Sequence, residues 1–229
     1  MDNLDLLWND LSARVQAEAA GTVMAAGDIR AIRDDFELAK EQELSGLDYA
    51  LSLAFPLPAD CLGGVVDGPT LLYKHAYTQL NYLMDKTALW LTHRIMAAGY
   101  RALPIAASQL TSWSRLAAHV DHRRVAVHLG LGWYGRNNLL VTPERGAQVR
   151  LVTALTSAPL NRPGPWAGRG SGCGECRACA AVCPVGAVHD GPEDFEKQKC
   201  ADRTKEFEKV RGIGQRICGV CVRACGGKR

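Results

Sequence analysis

Between residues 173 and 184 the chain reads CGECRACAAVCP, and this run constrains the fold more than any other stretch. Cys173, Cys176 and Cys179 stand two residues apart, and Cys183 follows after three more, directly before Pro184. The C-x2-C-x2-C-x3-C-P spacing places three thiolates on one [4Fe–4S] cube and sends the fourth to a second cube. Zinc is the alternative occupant. A zinc site usually joins two C-x2-C knuckles across a longer loop instead of crowding three cysteines into seven residues, so the spacing favours iron–sulfur.

The same rule accounts for the remaining cysteines of the region. The stretch ICGVCVRACGGKR carries Cys218, Cys221 and Cys225, too few for a site of its own. Cys173, Cys176 and Cys179 take Cys225 as fourth ligand, which completes cluster 1. Cys183 joins Cys200, Cys218 and Cys221 in cluster 2. The ninth cysteine, Cys61 in LPADCLG, stands alone; a small structural residue is favoured there over a reactive thiol. Two adjacent cubanes relay single electrons, and the simplest such protein is a ferredoxin-like carrier.

Charge does not call for nucleic acid. The formal net charge is +3, and from Glu193 onward ten Lys/Arg face six Asp/Glu, so the excess lies among the cysteines. Each cluster with its four thiolates adds about −2, which turns the formal +3 into roughly −1. The start MDNLDLLWNDL lacks the basic flank and apolar run of a secretory signal, and no stretch approaches the roughly 18 apolar residues of a membrane span. The expectation is a cytoplasmic protein without a membrane partner, whose cysteines are thiols or metal ligands.

Hydrophobic residues make up 47% of the 229, ordinary for a globular chain. Leu4, Leu7, Leu11, Val15 and Ala19 recur at helical spacing over 3–20. Asp28 is read as the cap of a second helix running to about Leu44. Leu47 to Phe55 alternate as a strand ended by Pro56 and Pro58. A long helix spans about Thr70 to Ala98, stopped by Gly99, and RALPI is a short strand. SWSRLAAHVDHRRVAVHLG reads as one helix closed by Gly130. NNLLVTPERGAQVRLVTAL reads as a hairpin about Pro143–Gly146. Composition changes at Pro159, where NRPGPWAGRGSG marks a linker or irregular wrap. The predicted organisation is α+β: a domain over 1–158, then a compact cysteine domain over 159–229. The first domain is larger than a mere carrier needs.

Residues 130–135, GLGWYG, match the dinucleotide fingerprint in letters only. A helix is predicted before them, β-prone NNLLV follows, and no Asp or Glu lies between Glu144 and Glu175. Taken in order, GLGWYGRNNLLV, LTSAPL, CGECRACAAVCPVGAV, Cys200 and GQRICGVCVRAC resemble the motifs of epoxyqueuosine reductases, cobalamin-dependent iron–sulfur enzymes of queuosine tRNA modification related to reductive dehalogenases. The resemblance covers about 110 residues, from near Leu116 to Cys225. It implies a nitroreductase-like α+β domain holding a corrinoid, followed by a ferredoxin-like double [4Fe–4S] domain that feeds electrons to cobalt. It also implies an external low-potential donor of ferredoxin or flavodoxin type, and tRNA as a partner. Three departures stand out. The family's catalytic Asp segment, D-[ST]-x-P, is missing, with Asp121 the nearest stand-in. The last cysteine is followed by Gly226 and not by Pro, and the helical-repeat extension of many members is not expected from these 229 residues.

For a cofactor beyond the clusters, the candidate binding residues are Tyr77, Asn81, Gly130, Gly132, Trp133, Gly135, Arg136 and Asn137. Tyr73, Tyr77, Asn81 and Asp85 form a polar stripe at helical spacing, read either as a wet face or as a pocket lining. Arg136 and Asn137 follow a Gly-rich backbone that permits close approach to a ligand. His119, His122 and His128 offer a metal or proton site, against which Asp121, Arg123 and Arg124 favour a solvated or phosphate-facing surface. The function expected is an iron–sulfur oxidoreductase passing electrons through two clusters to a bound corrinoid. The alternative is an electron-transfer protein serving a corrinoid held by another protein.

Overall fold

The structure is a computed structural model that describes residues 2–209 and 212–227; Arg211, Lys228 and Arg229 of the basic segment lie outside the described residues. In chain order the elements are α1 (Asn3–Glu18), β1 (Val23–Asp28), α2 (Arg30–Arg33), β2 (Tyr49–Pro56), α3 (Leu71–Ala97), β3 (Ala102–Ile105) and α4 (His122–His128). They continue with β4 (Trp133–Tyr134), β5 (Leu140–Val141), β6 (Val149–Thr156), α5 (Ala178–Ala181), α6 (Lys197–Lys209) and α7 (Val220–Ala224). The mixture is α+β. Among the described residues no helix is long and apolar enough to cross a membrane.

Two compact units emerge, each assembled from separate segments of the chain. The first takes residues up to Phe55, Asn81–Leu131 and Arg150–Gly168; the second takes Pro56–Leu80, Gly132–Val149 and everything from Arg169 onward. A single boundary near residue 158 therefore does not describe the units. The cysteine region recruits two earlier stretches, and the Pro/Gly-rich segment to Gly168 belongs with the first unit.

A four-stranded sheet in the order β1-β2-β6-β3 organises the first unit. β1 and β2 run antiparallel with Ala26 opposite Leu51, and β3 and β6 run antiparallel with Leu103 opposite Leu155. β2 is central, and Ala50 to Phe55 are buried on both faces, so its core side chains are a run instead of an alternation. α1 starts from a capping box between Asp2 and Asp5 and buries Leu7, Leu11 and Val15, as its spacing predicts.

Three sequence expectations change here. The segment from Asp28 is not one helix. Asp28 ends β1 and ties its carboxylate to Arg30, and only α2 and a 3-10 turn at Glu37–Lys40 follow. The strand β1 was not foreseen, because VMAAGD is too small and mixed to show a period. The helix expected from Ser112 forms only at His122, where Asp121 caps it by accepting the Arg123 N–H; Ser112 and Ala117 pair in a bridge just before. The expected hairpin also separates. Only Thr142 and Gly146 bridge its turn, while β5 pairs with β4 and β6 enters the large sheet.

The second unit has its own apolar core of Leu57, Leu62, Val65, Tyr73, Ile213, Ile217 and Val220, with Tyr77, Leu80, Cys218 and Val222 packed against it. Burying such side chains contributes about 1.5–3 kcal/mol each. The start of α3 and the segment before α7 therefore share one core, which fixes where Cys218 and Cys221 emerge.

Candidate metal centre

Each cysteine is placed by local backbone chemistry. Cys173 and Cys176 close a turn in which the Cys176 N–H donates to the Cys173 carbonyl at 3.0 Å. Cys179 sits on α5 and is buried; Cys200 is on α6, and Cys221 on α7. Cys225 ends α7. α5 packs on α7, which brings residues 40 positions apart in sequence together.

The electrostatics divide the eight thiols into two sets. Burial pushes the Cys225 thiol up, and Cys173 and Cys176 add to the effect. Cys179 is raised by burial and then by Cys225 and Cys173. Cys200 is pushed up to about 11 by burial, with Cys218 and Cys183 reinforcing it. Burial raises Cys221 most strongly, followed by Cys218 and Cys200, with weaker effects from Cys179 and Cys183. Cys225 thus neighbours Cys173, Cys176 and Cys179, and the four line one cavity. Cys183, Cys200, Cys218 and Cys221 are mutual neighbours, and Cys179 and Cys221 adjoin across α5 and α7. Among the described residues no three His, Cys, Asp or Glu side chains converge at single-ion distance.

The first set lines a cavity of about 290 Å³ together with Trp133, Gly135, Arg136 and Asn137. The stretch after Gly132 braces it. The Trp133 indole N–H donates to Cys173 Sγ at 3.3 Å, and Arg136 donates to the carbonyls of Cys176 at 3.0 Å and Gly174 at 2.5 Å. The turn after β5 holds the other side: the Ala147 N–H donates to the Cys225 carbonyl at 3.0 Å and the Gln148 amide to that of Arg223 at 3.2 Å. Around the second set, the Ala187 N–H donates to Cys183 Sγ at 3.2 Å. Sequence reasoning did not find Ala147, Gln148 or Ala187. Backbone donors carry no residue signature, and Gln148 lies 75 positions from its partner.

The other sequence candidates go elsewhere. Tyr77 packs against the apolar core and meets Tyr73 edge-on, with ring centroids 6.3 Å apart. Asn81 Oδ1 accepts from Arg150 at 2.8 Å, and Asp85 accepts the Ala107 N–H at 2.8 Å, so the polar stripe ties down neighbouring segments. Gly130 lies in the first unit and Gly132 in the second. Asp121 is half-buried, which pushes its carboxyl up, but hydrogen bonds and charge from Arg123 outweigh this and hold it below its ordinary value. It is an ion-paired helix cap. The three histidines do not share a face. His119 meets Glu41 at 3.1 Å, and His128 donates to the Asp28 carbonyl at 2.8 Å. His122 bonds Thr153 Oγ1 at 2.8 Å and the Ala106 carbonyl at 3.0 Å. The carbonyl can only accept, so His122 carries its proton on Nε2, and burial lowers its pKa.

Similarity searches place these features in context. Epoxyqueuosine reductase from Bacillus anthracis is 35% identical over 114 residues, covering 46% of this chain and 29% of that protein. Tetrachloroethene reductive dehalogenase from Sulfurospirillum multivorans is 31% identical over 148 residues, covering 60% of this chain and 27% of the relative. The chain is homologous to epoxyqueuosine reductases and reductive dehalogenases. No family model matches it. The matched part spans well under half the length of these curated relatives, one named as a reductase and the other as a reductive dehalogenase. A solved epoxyqueuosine reductase superposes with a TM-score of 0.63 at 18% identity, covering 97% of this chain and 66% of that one. A catabolic reductive dehalogenase gives 0.60 at 20% identity over 78% of this chain and 25% of that one. At these identities the structural likeness speaks for the fold.

Proposed function

We propose that the chain is an iron–sulfur oxidoreductase, with a nitroreductase-like α+β part and a ferredoxin-like part carrying two [4Fe–4S] clusters. Cys173, Cys176, Cys179 and Cys225 hold the first; Cys183, Cys200, Cys218 and Cys221 hold the second. The observation that carries the proposal is the grouping of eight thiols, all but the exposed Cys176 buried or half-buried, into those two sets, each crossing between the CGECRACAAVCP run and the ICGVCVRAC stretch. The donor set fits. Eight sulfurs with sulfur-directed N–H donors suit iron–sulfur chemistry, and a 290 Å³ cavity suits a compact cluster.

When bound, the clusters would pass single electrons from an external low-potential donor, of ferredoxin or flavodoxin type, to a corrinoid that reduces the substrate. The protein's part is to hold thiolates, exclude water and direct N–H donors at sulfur. The cobalamin is proposed from the relatives, one of whose solved structures addresses B12-dependent dehalogenation. The cavity is too small for a macrocycle, since sites for drug-sized molecules run from about 300 to 1,000 Å³. A catalytic Asp121 would first have to break its pairing with Arg123. One solved relative carries a tRNA stem loop, so tRNA is a proposed partner, and a cytoplasmic location is proposed with it.

The deciding experiment adds cobalamin to the anaerobically reconstituted chain and records the visible spectrum. A saturable shift, with reduction of cobalt on addition of a reduced ferredoxin, supports the enzyme. An unchanged spectrum with intact clusters overturns it in favour of an electron-transfer protein serving another protein's corrinoid.

A further inference from the structure

Asn137 is only 3% exposed and lines the same cavity as Cys173, Cys176, Cys179 and Cys225. Its amide orientation is determined by its neighbours. The Leu139 N–H faces the side-chain oxygen at 3.4 Å, and of the two amide ends only the oxygen can accept. The same Oδ1 lies 2.8 Å from where a Cβ on Gly135 would stand, so the oxygen sits over that glycine. The other end, Nδ2, is buried and has no hydrogen-bond partner in the protein. Folded chains seldom leave a buried amide donor unpaired, because its lost hydration is not replaced. An acceptor from outside the protein is therefore implied beside the thiol-lined cavity. Four residues earlier, the Trp133 indole already donates to Cys173 Sγ.

We propose that Asn137 Nδ2 donates a hydrogen bond to a sulfur of the cluster in this cavity, and that with Trp133 it raises that cluster's reduction potential. The inference rests on the two-cluster reading above. An added electron increases negative charge on the sulfurs, so N–H donors favour the reduced state. The second set receives the Ala187 backbone N–H at Cys183, which substitution at 133 or 137 leaves in place. The two potentials should therefore respond separately.

The test uses the full chain with clusters assembled anaerobically. Asn137→Asp keeps an oxygen for the Leu139 N–H but replaces the donor with an anionic acceptor. It should retain iron and move one midpoint negative by roughly tenfold in the reduction equilibrium, about 59 mV for a one-electron couple. The other midpoint should stay in place, and Trp133→Phe should move the same cluster in the same direction. Unmoved potentials in iron-replete Asn137→Asp overturn the proposal. A second readout needs no variant. With asparagine side-chain amides labelled with ¹⁵N, pulsed EPR of the reduced wild-type protein should detect a nitrogen coupling. Its absence in iron-replete protein overturns the proposal even where the variants fail to assemble. A wild-type chain that takes up no iron gives a different result: it overturns the cluster assignment on which the inference stands.

Discussion

Gly146 is at least 27 residues in sequence from every cysteine, yet its replacement by alanine should damage the first cluster. Its φ is +57°, and an added Cβ would lie 2.2 Å from the Cys225 carbonyl oxygen and 2.3 Å from the Gly227 nitrogen. Both clashing atoms are backbone, so rotating a side chain cannot relieve them. Gly146 is itself held by paired hydrogen bonds with Thr142 at 2.8 and 2.9 Å. Relief therefore requires Cys225 to retreat by roughly 1 Å or more to reach ordinary contact distance. The left-handed conformation and a weakened Ala147–Cys225 hydrogen bond together destabilise by about 2–4 kcal/mol. That is short of the ~5–15 kcal/mol holding a typical domain, so the chain should still fold. Gly146→Ala should keep the second cluster and lose most of the first, which anaerobic iron and sulfide analysis with EPR reads directly. Full iron content with unaltered spectra of both clusters would refute the placement of this turn against Cys225.

Two further predictions follow the same geometry. Gly219, at φ +84° before α7, would place an added Cβ 2.5 Å from the Tyr73 ring, so Gly219→Ala should disturb Cys218 and Cys221 and deplete the second cluster; equal loss from both clusters would contradict this. Burial depresses the folded pKa of His122 below the ordinary histidine value of 6.5, so the unfolded chain binds the extra proton first as pH falls. Stability should be level above pH 6.5 and decline below it in urea melts, and His122→Gln should remove part of the decline; a pH-independent midpoint from 7.5 to 5.5 would contradict the buried neutral ring.

The proposed ligand sets follow from cysteine spacing, which records which thiols a cluster can share. α1, β2, α3 and β3 were legible from period and from punctuation such as Gly99. What escaped was decided by distant partners. β1 exists because β2 offers it a ladder, and VMAAGD alone shows no period. The helix expected from Ser112 shrank to α4 because Asp121 spends its carboxylate on the Arg123 N–H, and this separated His119 from His122. GLGWYGRNN read as a ligand-binding stretch. Its partners turned out to be Cys173, Gly174 and Cys176, some 40 residues on, which no local pattern announces.

The most direct test of the central claim is ligand replacement in the anaerobically reconstituted chain, reading iron, sulfide and cluster EPR. Wild-type protein should hold about eight irons. Cys225→Ser should damage the cluster bound by Cys173, Cys176 and Cys179, and Cys183→Ser should damage the one bound by Cys200, Cys218 and Cys221. Four irons or zinc in the wild-type chain, or a Cys183→Ser protein that loses the same cluster as Cys173→Ser, would contradict the account.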